Sequence, residues 1–169
     1  TQFVKGWDEI CISSVKEAES IIPKEKNTNG KVALSYFPKA NYNKTGEISN
    51  TINDSLPYTC NSSVDVNKIV RGGATEIRDF KDFPIVIPHI AAGMLFVRSN
   101  FLKTSSYDPW LTYVYEGEEV LLSARLWTSG YTLIAPKSNV CVHLYTDSTL
   151  EERGYTKRPL FWDDNTGEV

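Results

Sequence analysis

An α/β arrangement is what this sequence predicts, and three observations carry it. Residues Trp7 to Ile22 repeat apolar side chains with a helical period. Lys31 to Phe37 form a near-continuous apolar run of strand length. Gly117 to Ser129 read as a second amphipathic helix, followed by two short apolar runs. Such a mixture favours α/β or α+β over a pure helical or pure strand class, and is expected to give a mixed sheet flanked by helices. The 169-residue chain is of single-domain size, and its 41% hydrophobic and 23% charged content is ordinary for a globular protein.

Each element has a local reason. In the first helix apolar residues fall at 7, 10, 11, 15, 18, 21 and 22. Asp8 and Glu9 occupy the first turn, where the helix dipole favours anions, and Pro23 ends the helix. The strand over Lys31 to Phe37 is bounded by Gly30 and Pro38. From Lys39 to about Ser63 the chain is polar and rich in Asn, Ser and Thr, and Gly72-Gly73 marks a turn, so residues 39–84 read as a variable loop insertion. Pro84 to Ile90 and Met94 to Val97 are short apolar runs around Ala91-Ala92-Gly93, whose small side chains suit close approach of backbone to a ligand or a neighbouring strand. In the helix from Gly117 to Ser129, the residues Val120, Leu121, Ala124, Leu126 and Trp127 make a broad apolar face, with Gly130 placed as the C-terminal cap. Tyr131 to Ala135 and Asn139 to Leu144 read as strands around a Pro136-Lys137 turn. Residues 145–169 form a charged tail or lid that includes the aromatic Pro159-Leu160-Phe161-Trp162.

Composition excludes several classes. A net charge of −3 without any basic stripe disfavours nucleic acid as a partner, because phosphate backbones are held by clustered Lys and Arg. No apolar run approaches the roughly 20 residues that span a bilayer. The three cysteines, Cys11, Cys60 and Cys141, contain no CxxC pair. They point away from a disulfide framework or zinc knuckle and toward a reducing, cytoplasmic setting. Three glycosylation triplets, at Asn43, Asn53 and Asn61, lie in the Asn/Ser/Thr-rich stretch, where composition alone produces them. Four tryptophans and nine tyrosines suit a sugar-binding cleft, and equally suit cores and surface grooves.

The candidate chemistry centres on Glu118 and Glu119, adjacent carboxylates on the first turn of the second helix, and on His143 after it. Acids at a helix N-terminus stabilise the dipole whatever else they do. His143, at the end of an apolar strand, reads either as a satisfied edge residue or as a neutral imidazole ligand to a divalent metal. Arg125 is placed to pair with either glutamate.

The order of these features resembles a known family. Gly117-Glu118-x-x-x-Leu122-Ser123-x-Arg125-x-Trp127, preceded by Ala91-Ala92-Gly93-Met94-Leu95-Phe96, is similar to the Gly-Glu helix region of the polypeptide N-acetylgalactosaminyltransferases. Tyr107-Asp108, Pro136 and Val140-x-x-His143 fall in the same succession, and Tyr107-Asp108-Pro109, Gly117-Glu118-Glu119, Ser123-Ala124-Arg125-Leu126-Trp127-Thr128-x-Gly130-Tyr131 and Ala135-Pro136 more closely resemble the GlcNAc-type polypeptide transferases, family sixty of the glycosyltransferases. That family is known for adding GlcNAc to hydroxyproline of a cytoplasmic protein. The match is strongest over roughly 89 to 145 and extends to Arg158-Pro159-x-Phe161-Trp162.

The resemblance implies a GT-A, Rossmann-like fold and a UDP-sugar donor, with GlcNAc as the transferred sugar and a protein or glycan hydroxyl as acceptor. It also implies retention of anomeric configuration and a divalent cation, Mn²⁺ or Mg²⁺. In relatives an Asp-x-Asp or Asp-x-His metal motif comes just before a segment similar to Phe3-Val4-x-Gly6-Trp7-Asp8. These 169 residues are accordingly expected to be the C-terminal, acceptor- and metal-side part of a larger enzyme, inactive alone. By the same resemblance His143 is a metal ligand. Glu118 holds donor-sugar hydroxyls with help from Glu119, and Ala92 and Gly93 leave room for the sugar and offer it backbone N–H groups. Asp108, Trp127 and Arg158 bind substrate. Arg153, Lys157 and Arg158 would fold over the leaving UDP, although Thr146 stands where relatives often carry an arginine. A non-catalytic carbohydrate- or protein-binding module built on this fold is the competing reading.

Overall fold

The computed structural model describes residues 1–23, 30–40, 53–66, 68–77, 83–110 and 117–143. These form a mixed α/β structure of three small sheets and their helices, with no closed barrel among the described residues.

Strand β1 (Gln2–Phe3) leads through Gly6, in the left-handed region at φ 73°, into helix α1 (Trp7–Ile21). Asp8 and Glu9 lie in its first turn as expected, and Cys11, Ser14, Val15 and Ala18 are its buried face. Ile22 is extended at ψ 127°, the conformation that a following proline imposes, so the helix stops there. Strand β2 (Val32–Ser35) is wholly buried, and β3 (Lys39–Ala40) follows after Tyr36-Phe37-Pro38. Later come β6 (Leu95–Val97), the short α2 (Phe101–Thr104), α3 (Glu118–Thr128), β7 (Thr132–Ile134) and β8 (Cys141–His143).

Two sheets share a design. In one, β2 is central, antiparallel to β6 and parallel to β7. In the other, β8 is central, antiparallel to β1 and parallel to β3. Since β2 runs on to β3 and β7 on to β8, the same two chain segments pair in parallel twice, with a break between. Tyr36, fully buried, fills that break. Its hydroxyl accepts the N–H groups of Val140 and Cys141, both at 2.9 Å, and donates to the Cys141 carbonyl at 3.0 Å. Backbone groups that the interrupted ladder leaves without strand partners are thus satisfied by one side chain. The core joins α1, β2, β7 and α3 through Cys11, Val15, Leu34, Leu122, Leu126, Leu133 and Ile134. Fully burying a side chain such as Leu34 or Leu133 contributes about 1.5–3 kcal/mol.

The third sheet corrects the expectation of a loop over 39–84. Strands β4 (Leu56–Val64) and β5 (Val70–Ile77) form an antiparallel ribbon. It escapes a pattern reading because its outer half, Asn61–Val64, is exposed and carries no apolar alternation. Nor is Gly72-Gly73 a turn. Both glycines lie within β5, and the reversal is made by Asp65, whose Oδ1 accepts the Ile69 N–H (2.9 Å) while Oδ2 holds Arg71 (2.8 Å). The glycines are there because the ribbon packs too tightly for side chains: a Cβ on Gly72 would stand 2.7 Å from His89 Nδ1, and one on Gly73 would strike Asn61. The run from Pro84 to Ile90 is not a full strand either. It follows β7 through a bridge between Val86 and Ile134 and an Ile87 N–H to Leu133 carbonyl bond of 3.0 Å.

Helix α3 also turns a different face inward from the one its apolar residues suggest. Leu122, Ser123 and Leu126 are buried, whereas Leu121, Ala124 and Trp127 are exposed. Ser123 belongs to the buried face because its hydroxyl is fully bonded there, so counting apolar residues alone rotates the helix. The C-terminus is as expected. Gly130 is left-handed at φ 84°, the Gly130 N–H bonds Trp127 O and the Tyr131 N–H bonds Leu126 O, a Schellman cap.

Candidate active site

The Gly117 N-cap, at φ 86°, opens α3 so that Glu118 and Glu119 lie on its first turn, both half-buried. Facing them is the small-residue loop from Ile90 to Met94. Its three successive amides are each taken by a side-chain oxygen. The Ile90 N–H bonds Ser123 Oγ at 2.8 Å, the Ala91 N–H bonds Ser35 Oγ at 2.8 Å, and the Ala92 N–H bonds Glu119 Oε1 at 2.5 Å. Ser35 donates to Met94 O (2.7 Å), and Ser123 donates to Glu119 O (2.5 Å). A Cβ on Gly93 would lie 2.6 Å from Pro38 Cδ, so close backbone approach is the reason for that glycine.

On the other flank, Asp108 Oδ1 accepts the Trp110 N–H at 3.0 Å, and Oδ2 lies 3.9 Å from Arg125 Nη1. Arg125 therefore pairs with Asp108, not with the glutamates two turns back along its own helix. Tyr107 is half-exposed. Burial, then the charges of Glu118 and Glu119, push its phenol above the usual value, so it stays protonated. The Trp127 indole N–H is anchored on Pro88 O at 3.1 Å with about half the residue exposed, which fixes a flat apolar face.

His143 lies apart, on β8, between Thr1 and Ala40. Its Nδ1 is 2.7 Å from Thr1 Oγ1, and burial lowers its pKa below the ordinary 6.5, favouring the neutral imidazole. Among the described residues no three His, Cys, Asp or Glu side chains converge as a metal-holding group. His143 is the expected ligand among them, and the described residues do not by themselves fit a divalent cation. Arg158, with Thr146, Arg153 and Lys157 and the rest of the 145–169 tail, lies outside the described residues.

Of the expected site residues the structure unites Ala92 with Glu119, borders that pair with Gly93, and brings Glu118 and Glu119 within electrostatic reach of Tyr107. Asp108 joins through Arg125. Sequence reasoning missed Ser35, Ser123 and His89. His89 is buried, its Nε2 lies 2.7 Å from Asn61 O, and Thr59 Oγ1 bonds its carbonyl, so it ties the ribbon to the loop. The available signal was a serine standing inside an apolar run, as both Ser35 and Ser123 do.

No helix among the described residues is long and apolar enough to cross a membrane. Neither the curated proteins nor the solved structures give a match to this chain. Residues 1–168 match the family model described as Glycosyltransferase (GlcNAc). With that match spanning nearly its whole length, the chain belongs to the GlcNAc glycosyltransferase family.

Proposed function

We propose that this glycosyltransferase moves GlcNAc from UDP-GlcNAc to a hydroxyl acceptor, hydroxyproline on a cytoplasmic protein, with retention and on a GT-A scaffold. The observation that carries the reading is the apposition of the Gly117-Glu118-Glu119 helix start to the Ile90–Met94 loop, with Tyr107 alongside. A sugar ring presents hydroxyls that both donate and accept. Glu118 offers acceptor oxygens and Tyr107 a donor, while the Trp127 face offers apolar contact to the ring's C–H groups. Holding the donor sugar in line with an incoming hydroxyl is itself worth orders of magnitude in rate. A divalent cation, Mn²⁺ or Mg²⁺, would supply counter-charge to the diphosphate, with His143 as one of its ligands and the others from outside the described residues.

The ordering of the loop gives Glu119 a different task from its neighbour. Its Oε1 holds the Ala92 amide, a task distinct from the donor-hydroxyl contact proposed for Glu118. Glu118→Gln in the full-length protein is expected to lower UDP-GlcNAc turnover by about 10–100-fold, the worth of a charge-assisted hydrogen bond, with the melting temperature unchanged. UDP release measured with and without Mn²⁺, beside His143→Ala, tests the metal. Turnover indifferent to Glu118→Gln refutes the donor assignment. A folded protein that binds sugars through the exposed Tyr107, Trp110 and Trp127, but turns over no UDP-sugar, is instead the non-catalytic module.

A further inference from the structure

We infer that Ser35, Ser123 and Glu119 are positioning residues that act as one clamp on the Ile90–Met94 loop, and that the clamped loop selects the donor sugar by volume. The inference rests on the donor-binding reading above. Three consecutive N–H groups are held by three side chains from two separate elements, β2 and α3. Ser35 is fully buried and Ser123 nearly so. A hydroxyl has one proton to give and lone pairs to receive. Ser35 spends both capacities on the loop, accepting from Ala91 and donating to Met94. Ser123 accepts from Ile90 and donates to the Glu119 carbonyl. Both hydroxyls are buried and bonded in both directions, and Ser35 Oγ also lies 3.0 Å from the Ala91 carbonyl, a second acceptor in the same loop.

Two more contacts complete the hold. Thr59 and the His89 ring fasten the residue before the clamp to the ribbon, and Gly93 lies on Pro38 without room for a Cβ. The consequence runs against the expectation that Ala92 presents its amide to the sugar. That N–H is committed to Glu119, while Ala92 and Gly93 remain exposed residues of the loop. With the Ala92 amide taken, the loop meets the sugar by shape, and hydrogen-bond recognition falls to Glu118 and Tyr107. A shape selects only if it is held, which is what the clamp supplies.

The test pairs kinetics with a readout that needs no turnover. In full-length protein, KM and kcat are measured for UDP-GlcNAc and for UDP-glucose in wild type, Ser123→Ala, Ser35→Ala, Glu119→Gln and Glu119→Ala. Amide exchange at Ile90, Ala91 and Ala92 is followed in parallel. Each serine variant is expected to raise the UDP-GlcNAc KM about 5–30-fold, the cost of a lost buried bond, with a smaller change in kcat and a narrowed preference between the donors. Ala92 should stay protected in Glu119→Gln, which keeps an acceptor oxygen, and exchange freely in Glu119→Ala. A lowered melting temperature with an unchanged donor preference would reduce the serines to ordinary core residues and overturn the inference. Fast exchange at all three amides in the wild type overturns the clamp itself. A folded wild type without any UDP-sugar turnover overturns the donor reading and the sugar-selecting role with it, while the exchange arm still decides the clamp.

Discussion

Replacing Tyr36 by Phe removes one oxygen atom and leaves the ring that fills the core. The structure allows the cost to be worked out. The phenol is fully buried, and burial, reinforced by the Cys141 thiol, holds its pKa far above the usual value, so the hydroxyl is a neutral donor at any working pH. It accepts two backbone N–H groups, from Val140 and Cys141, and donates to one carbonyl. The variant leaves two buried donors without that acceptor, and an unsatisfied buried group costs about 1–3 kcal/mol. With partial backbone relaxation the loss is about 2–5 kcal/mol, against total domain stabilities of about 5–15 kcal/mol. At about 2–4 °C per kcal/mol for a chain of this size, the melting temperature should fall by about 5–15 °C. Thermal and urea unfolding of Tyr36→Phe beside wild type measure it, with amide exchange at Val140 and Cys141 as the local check. A loss below about 1 kcal/mol, the worth of one ordinary hydrogen bond, with both amides still protected, would refute the idea that this hydroxyl bridges the two sheets.

Other perturbations have directions set by the same geometry. Gly130→Ala forces a Cβ into the left-handed cap at φ 84° and should destabilise by about 1–2 kcal/mol in a urea titration; an unmoved midpoint would count against the Schellman cap. Among the thiols, Cys11 is pushed up to about 12, first by burial and then by Cys141 and Asp8, and burial also raises Cys141. A thiol reagent in mildly alkaline buffer should therefore label the half-buried Cys60 in the native protein and all three only after unfolding; early reaction of a second thiol contradicts the packing. His143 has a folded pKa below 6.5, so the unfolded chain takes up the proton first as pH falls. The stability it contributes is present above 6.5 and is lost as the pH drops below that value toward the folded pKa. Urea stability of the metal-free protein followed from about pH 8 to 5 should decline less steeply in His143→Gln, and superimposable curves would remove His143 from the account.

Much of this architecture was legible in the chain. The helices announce themselves through apolar period, through Asp8-Glu9 and Glu118-Glu119 in first turns, and through the stop signals Pro23 and Gly130, because capping and dipole effects act within a few residues. Buried strands such as β2 are legible because burial on both faces leaves a near-continuous apolar run, here Val32, Ala33 and Leu34 before Ser35. The Gly117-Glu118-Glu119 start and the Ala91-Ala92-Gly93 loop were recognisable as a pair, and the family match agrees with the transferase they implied.

What only the tertiary structure decided was which polar atoms meet. Glu119 rather than the sugar occupies the Ala92 amide, Asp108 rather than a glutamate takes Arg125, and Gly72-Gly73 serve packing against His89 and Asn61 rather than a turn. Each of these pairs comes from segments far apart in sequence, and a hydrogen bond or a close contact depends on a few tenths of an ångström that no local pattern encodes. Ser35 and Ser123 show the limit most plainly. In the sequence they interrupt apolar runs, and only the fold reveals that their hydroxyls are satisfied by the loop they hold. Local propensity wrote the elements of this protein, while the burial of polar groups, which demands partners wherever the chain finds them, arranged the site.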